Sequence, residues 1–121
     1  MQKNQTVEGN QSAVVVPHIH RAVEIANALP VRLQTLDLAR HVAIAPDDKR
    51  FVVATFDDRR LGRGYVSAVY PQQNSYHTLY RLVVCEFSSN TPGEAIQRHM
   101  ALVQAIQRDM LNSYIQSQSG K

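Results

Sequence analysis

The stretch from Thr91 to Ile115 constrains the fold of this chain more than any other. Thr91-Pro92-Gly93-Glu94 has the composition of a helix start. Thr takes the N-cap, Pro the first helical position, and Glu stands three residues past the cap, so hydroxyl and carboxylate each satisfy a backbone N–H that the first turn leaves unpaired. Ile96, Met100, Val103, Ile106, Met110 and Tyr114 then recur in steps of three and four. That spacing predicts one apolar stripe along a continuous α-helix. Arg98, Gln104, Arg108, Asp109 and Asn112 fall on the other side. Such a stripe must lie on something, and the residues before it supply strands.

Arg50 to Phe56 is rich in β-branched and aromatic side chains and reads as a strand. Asp57-Asp58-Arg59-Arg60-Leu61-Gly62-Arg63-Gly64 is polar with two glycines and reads as a hairpin loop. Tyr65 to Tyr70 forms a second strand, ended by Pro71-Gln72-Gln73-Asn74, and Thr78 to Phe87 a third. Links this short favour an antiparallel meander, because parallel neighbours need a long crossover. Upstream, Ile19, Ala22, Val23 and Ala26 recur at helical spacing within His18–Leu29, and Pro30 stops the pattern. Ala13 to Val16 suits a short strand or the opening of a helix. Between Val31 and Ala45 two patterns compete. Val31, Leu33 and Thr35 alternate like a strand, whereas Leu36, Ala39, Arg40 and Ala43 repeat like a short helix over about 36–42 that Pro46 ends.

The expected fold is therefore α+β: a three- to four-stranded antiparallel sheet, packed by a long C-terminal helix, with a shorter N-terminal helix. At 121 residues the chain is long enough for one domain with its own core. Residues 13–116 are expected to form it, with a polar tail over 1–12 and a frayed tail over 117–121. The strands alternate only weakly, so both sheet faces are expected to be at least half covered. A helix over 91–115 would span roughly 37 Å, against about 25 Å for a strand. Its last turns, with Met110, Leu111, Tyr114 and Ile115, then overhang the sheet. They are candidates for a homodimer contact or for packing on the N-terminal segment.

Hydrophobic residues make up 44% of the chain and charged residues 19%, an ordinary globular balance. A lone Cys85 excludes an internal disulfide and, with no secretory signal in view, a reducing cytoplasmic setting is expected. No apolar run approaches the ~20 residues that span a bilayer, so no membrane partner is expected. The net charge of +3 gives a mild bias toward acidic partners.

Three arginines on a projecting hairpin can grip phosphates or carboxylates through paired guanidinium bonds. The plainer reading is a solvated turn in which Asp57 and Asp58 neutralise them. Tyr65, Tyr70, Tyr76 and Tyr80 gather on neighbouring segments with Arg63 and Arg81, as a stacking surface for single-stranded nucleic acid, a protein contact, or simple cross-strand pairs. Candidate partner- or phosphate-binding residues are thus Arg59, Arg60, Arg63, Arg81, Tyr65 and Tyr80. A winged-helix alternative makes 36–46 the first helix of a helix-turn-helix and Asp47 onward the recognition helix, but Phe51-Val52-Val53-Ala54-Thr55-Phe56 is poor helix material. A zinc site drawn from His18, His20, His41, His77, His99 and Cys85 lacks the usual ligand spacings. His99, at the edge of the apolar stripe, reads better as a packing residue, and Cys85 as a small core hydrophobe. Asp57 or Asp58 with Glu86 lacks the lysine of a nuclease core, since Ser88 stands in its place. No cofactor, metal or catalytic set emerges. The leading expectation is a small non-enzymatic binding or regulatory protein that acts through its sheet and basic hairpin on a protein or other acidic partner. The alternatives are a DNA- or RNA-binding domain using the 57–64 hairpin and, third, a small enzyme.

Overall fold

The computed structural model describes residues 23–73 and 77–119. The expectations for residues 1–22, including the polar tail and the 13–16 segment, and for Tyr76 lie outside these. The class is α+β: a curled antiparallel sheet and two helices, one of them long. The strands are β1 (Leu29–Pro30), β2 (Asp37–Ile44), β3 (Arg50–Asp57), β4 (Tyr65–Gln73), β5 (His77–Thr78) and β6 (Cys85–Ser89). They run in the order β1-β2-β3-β4, with β5 and β6 sharing the far edge of β4. Helices α1 (Pro92–Gln107) and α2 (Leu111–Ser119) follow.

The described sheet has six strands, more than the three or four expected, for two local reasons. Residues 37–44 are a strand, not the short helix that their spacing predicts. The pairing β2–β3 shifts register between Asp37 and Ala39, a β-bulge that inserts Leu38. A bulge turns strand alternation into a spacing of three, so Asp37 and Arg40 face the same side and form an ion pair at 2.8 Å. The same strand excludes the winged-helix alternative, as does the turn at Asp47–Lys49 leading straight into β3. The expected third strand is in fact two, β5 and β6. Leu79 N–H still donates to Pro71 O and Val84 N–H to Val69 O. Between these two points the chain leaves the ladder and carries Tyr80 over the sheet. Residues 23–28, the described end of the expected N-terminal helix, hold a turn instead.

The N-terminus of α1 forms as its composition predicts. Glu94 N–H donates to Thr91 Oγ1 at 3.1 Å, and the Glu94 carboxylate accepts from Asn90 N–H at 3.2 Å. Its C-terminus comes earlier than the apolar stripe suggests. Asp109 adopts φ +57, Asp109 N–H donates to Ile106 O, and Met110 N–H to Ala105 O. These are the two bonds of a Schellman motif, with Asp where Gly is usual. The break replaces the overhang. α2 folds back, so that Leu111 and Tyr114 pack on the core and Tyr114 meets Phe87 edge-on at 5.8 Å.

α1 lies across β2, β3 and β4. Leu102, Val103 and Ile106 meet Ala43, Val53 and Val69 in the main core, and Ala95 meets Leu38 and Tyr65. Each fully buried aliphatic side chain of this kind contributes about 1.5–3 kcal/mol.

Candidate binding site on the open sheet face

The face turned away from α1 carries the cross-strand row Arg40–Ala54–Ala68–Glu86. Two alanine methyls in the middle of this row leave room above the sheet for a long side chain from its end. Arg40 fills it. Its Nε donates to Asp37 Oδ2 at 2.8 Å, Nη2 to Asp37 Oδ1 at 3.4 Å, and Nη1 to the Tyr80 hydroxyl at 3.0 Å. Asp37 also accepts from Gln34 N–H. Burial by itself would lower the guanidinium pKa, but the Asp37 carboxylate and the Tyr80 oxygen outweigh it and hold the value above its ordinary one. Arg40 is therefore charged at every accessible pH. Tyr80 in turn stands edge-on to Tyr70, ring centroids 4.9 Å apart. Burial first, then the Glu86 charge, pushes the Tyr70 phenol up.

The hairpin after β3 closes this face at one end. Asp58 N–H donates to Gly64 O, a short 3-10 turn covers Arg59–Leu61, and Gly62 and Gly64 both take positive φ, at +75 and +69. Two of its three arginines hold local carboxylates. Arg59 forks onto Asp57, and Arg63 bridges Asp58 at 2.6 Å and Glu86 at 3.3 Å. The Arg59 bonds hold the Asp57 carboxyl below its usual range. Arg60 makes no ion pair among the described residues.

Between the hairpin, the turn before β2 and the Tyr80 excursion lies an open pocket of about 370 Å³. Phe56, Tyr70 and Tyr80 supply its aromatic walls, and Arg40, Asp58 and Arg60 are among its charged lining. The residues singled out from the sequence separate across the sheet. Tyr80 and Arg60 line this pocket. Arg81 is exposed on the excursion. Arg63 ties the hairpin to β6 outside the pocket. Tyr65 is buried in the cluster with Leu38 and Ala95, under the Arg59 guanidinium at 5.2 Å from its ring. At the helix junction Met110 is 53% exposed, while Leu111, Tyr114 and Ile115 are half-buried. Asp37, Arg40 and Phe56 were not singled out; the Asp-x-x-Arg spacing was visible, but only the bulge makes it a pair on one face.

A second polar group lies under α1, apart from the lining of this pocket. His41 Nε2 and Val23 O are 3.0 Å apart, His41 Nδ1 and His99 Nε2 2.8 Å, His99 Nδ1 and Thr55 Oγ1 2.8 Å, and Thr55 Oγ1 and Ser67 Oγ 2.8 Å. A carbonyl only accepts, so His41 Nε2 donates to it, and every later proton follows: His99 Nε2 donates to His41, Thr55 to His99, and Ser67 to Thr55. Both rings are neutral in this chain. Burial drives the His99 pKa down to about 3, and burial also lowers that of His41. His99 is thus a packing residue with satisfied nitrogens. Cys85 packs at the core margin and burial pushes its thiol up to about 11, which removes it as a nucleophile near neutral pH. Among the described residues no three His, Cys, Asp or Glu side chains converge on a common point that would hold a metal ion, and no helix is long and apolar enough to cross a membrane. Comparison of the chain with protein-family models, with curated proteins and with solved structures finds no match.

Proposed function

We propose that this protein is a non-enzymatic binding module that takes a protein partner at the end of the sheet face turned away from α1, around the pocket bounded by the 57–64 hairpin and the Tyr80 excursion. One observation carries the reading: where the exposed apolar side chains are. Among the described residues, the large hydrophobic side chains left in water are Leu29, Leu33, Leu61, Tyr80, Leu82, Val83, Val84 and Met110. All but Leu29 and Met110 stand on, or within four residues of, segments that line the pocket. Single exposed hydrophobics are ordinary, but a gathering around one concavity marks an interaction surface. Tyr and Arg at its centre suit a protein contact. The nucleic-acid alternative draws less support, because two of the three hairpin arginines, Arg59 and Arg63, already hold carboxylates and Tyr65 is buried.

The test is a binding screen of short peptides that combine acidic and apolar residues, with a single-stranded oligonucleotide as comparator. Saturable peptide binding that a Leu82→Ser, Val83→Ser double variant abolishes, at unchanged melting temperature, is the expected result. Oligonucleotide binding that weakens steeply with salt, with a slope reduced by Arg60→Ala, would replace the protein reading with the nucleic-acid one.

A further inference from the structure

We infer that the pocket on the open face is a carboxylate site, and that its ligand is an aromatic group carrying a carboxylate. The inference rests on the reading of this face as a binding surface and names the chemistry of the group that enters it.

Arg40 has five guanidinium N–H donors. Three are used, two by Asp37 and one by Tyr80. The other two have no acceptor among the described residues, although the side chain is only 7% exposed and lines the pocket. Arg60, at the hairpin end of the same cavity, has no ion pair. Two guanidinium groups with spare donors therefore border one concavity. Each carboxylate around it bonds a neighbouring group, and Arg60 acts on Asp57 only through its charge, without an ion pair. Asp37 is held by Arg40 and Gln34 N–H, Asp57 by Arg59, and Asp58 by Arg63. Phe56, Tyr70 and Tyr80 form walls that suit the flat face or edge of a ring. A cavity of about 370 Å³ has room for such a group. Carboxylates bound to guanidinium in a partly dry site form the stronger, shorter class of hydrogen bond.

N-acetylphenylalanine serves as probe for the carboxyl end of a peptide, and phenylacetate for a free aryl acid. The amide of each is the control. Amide shifts of the isotope-labelled protein are followed during titration. The acids are expected to give saturable shifts at Arg40, Arg60, Tyr70 and Tyr80, with Kd of about 1 mM for ligands this small. The amides are expected to give none. Arg60→Gln, at the surface, should weaken the acids about fivefold or more without lowering the melting temperature. The tighter of the two acids identifies the source. Equal binding of acid and amide, shifts confined to other parts of the molecule, or an Arg60→Gln variant that binds as well as the parent would overturn the assignment. If the probes fail while the peptides above still depend on Leu82 and Val83, the carboxylate inference falls and the binding face stands. If the probes bind in the pocket and no peptide does, the face is a small-acid site instead.

Discussion

Lowering the pH should destabilise this protein through His99 before its carboxylates matter. The ring is fully buried and both its nitrogens bond neutral groups, so a charge on it would be desolvated with no counter-charge beside it. Its folded pKa of about 3 lies below the unfolded value of 6.5. Above 6.5 neither state binds the proton and stability is complete. Below it the unfolded chain binds a proton that the folded chain refuses, so stability falls by about 1.4 kcal/mol per pH unit and approaches a loss of about 5 kcal/mol near pH 3. A domain of this size has about 5–15 kcal/mol in all. His41 shifts in the same direction and steepens the fall. Asp57, held by Arg59, has a folded pKa below its ordinary 3.8, so its stabilising charge is present above 3.8 and is lost only lower down. The window between about pH 6.5 and 4.5 thus reports the histidines. Urea unfolding at steps of pH through that window, with a constant slope against denaturant, is the assay. His99→Gln should cost about 2–3 kcal/mol at neutral pH, because Thr55 and His41 lose a partner, and should remove at least half of the pH slope. A parent whose midpoint is flat from about pH 7 to 5, or a His99→Gln variant with the full slope, would refute the reasoning.

The two hairpin glycines should separate cleanly. A Cβ on Gly64 would sit 2.6 Å from Ser89 O at φ +69, so Gly64→Ala should cost about 2–4 kcal/mol, whereas Gly62, at φ +75 with nothing within 4 Å, should cost only about 1 kcal/mol; chemical denaturation reads both. Tyr80→Phe removes the hydroxyl that Arg40 Nη1 uses, and a loss of about 1–2 kcal/mol is expected in the same assay, with Tyr80→Ala larger because the contact with Tyr70 goes too. Thr91→Ala should cost about 1 kcal/mol and lower helical ellipticity slightly, since Glu94 N–H loses its acceptor.

What could be read from the sequence was whatever depends on neighbours in the chain. The Thr91 cap, the strand from Arg50, the hairpin at 57–64 and the packing role of His99 rest on local propensity and periodicity, and they stand in the fold. The errors share one physical cause, which is a tertiary contact overriding a local pattern. The spacing of Leu36, Ala39, Arg40 and Ala43 mimics a helix because a bulge against β3 inserts Leu38 and breaks the strand alternation. The strand propensity of residues 78–87 is interrupted by a turn, closed by Leu82 N–H on Leu79 O, at which Tyr80 meets the buried Arg40 guanidinium. The apolar stripe of 96–114 continues through a chain reversal, because Asp109 tolerates the left-handed conformation and the core still has room for Tyr114. Of the candidates named from the sequence, Arg60 and Tyr80 line one pocket, but nothing in the chain's local pattern showed that the sheet divides them from Tyr65.

Strand β2 shows why these overrides matter for the site. Its core residues Leu38, Ala39, Val42 and Ala43 are all buried and mostly small, so apolar patterning by itself would tolerate several registers against β3. Arg40 and His41 are adjacent and face opposite sides of the sheet. A slip of one residue would place the guanidinium under α1, against His99, and the imidazole on the open face, away from Thr55. Each would then be a buried polar group without its partner, a loss of several kcal/mol that no methyl contact offsets. The two polar groups on opposite faces therefore select a single register, and that register sets the distance from Arg40 to Phe56 and to the hairpin arginines. The strand residues of the pocket, Asp37, Arg40 and Phe56, are placed by that register.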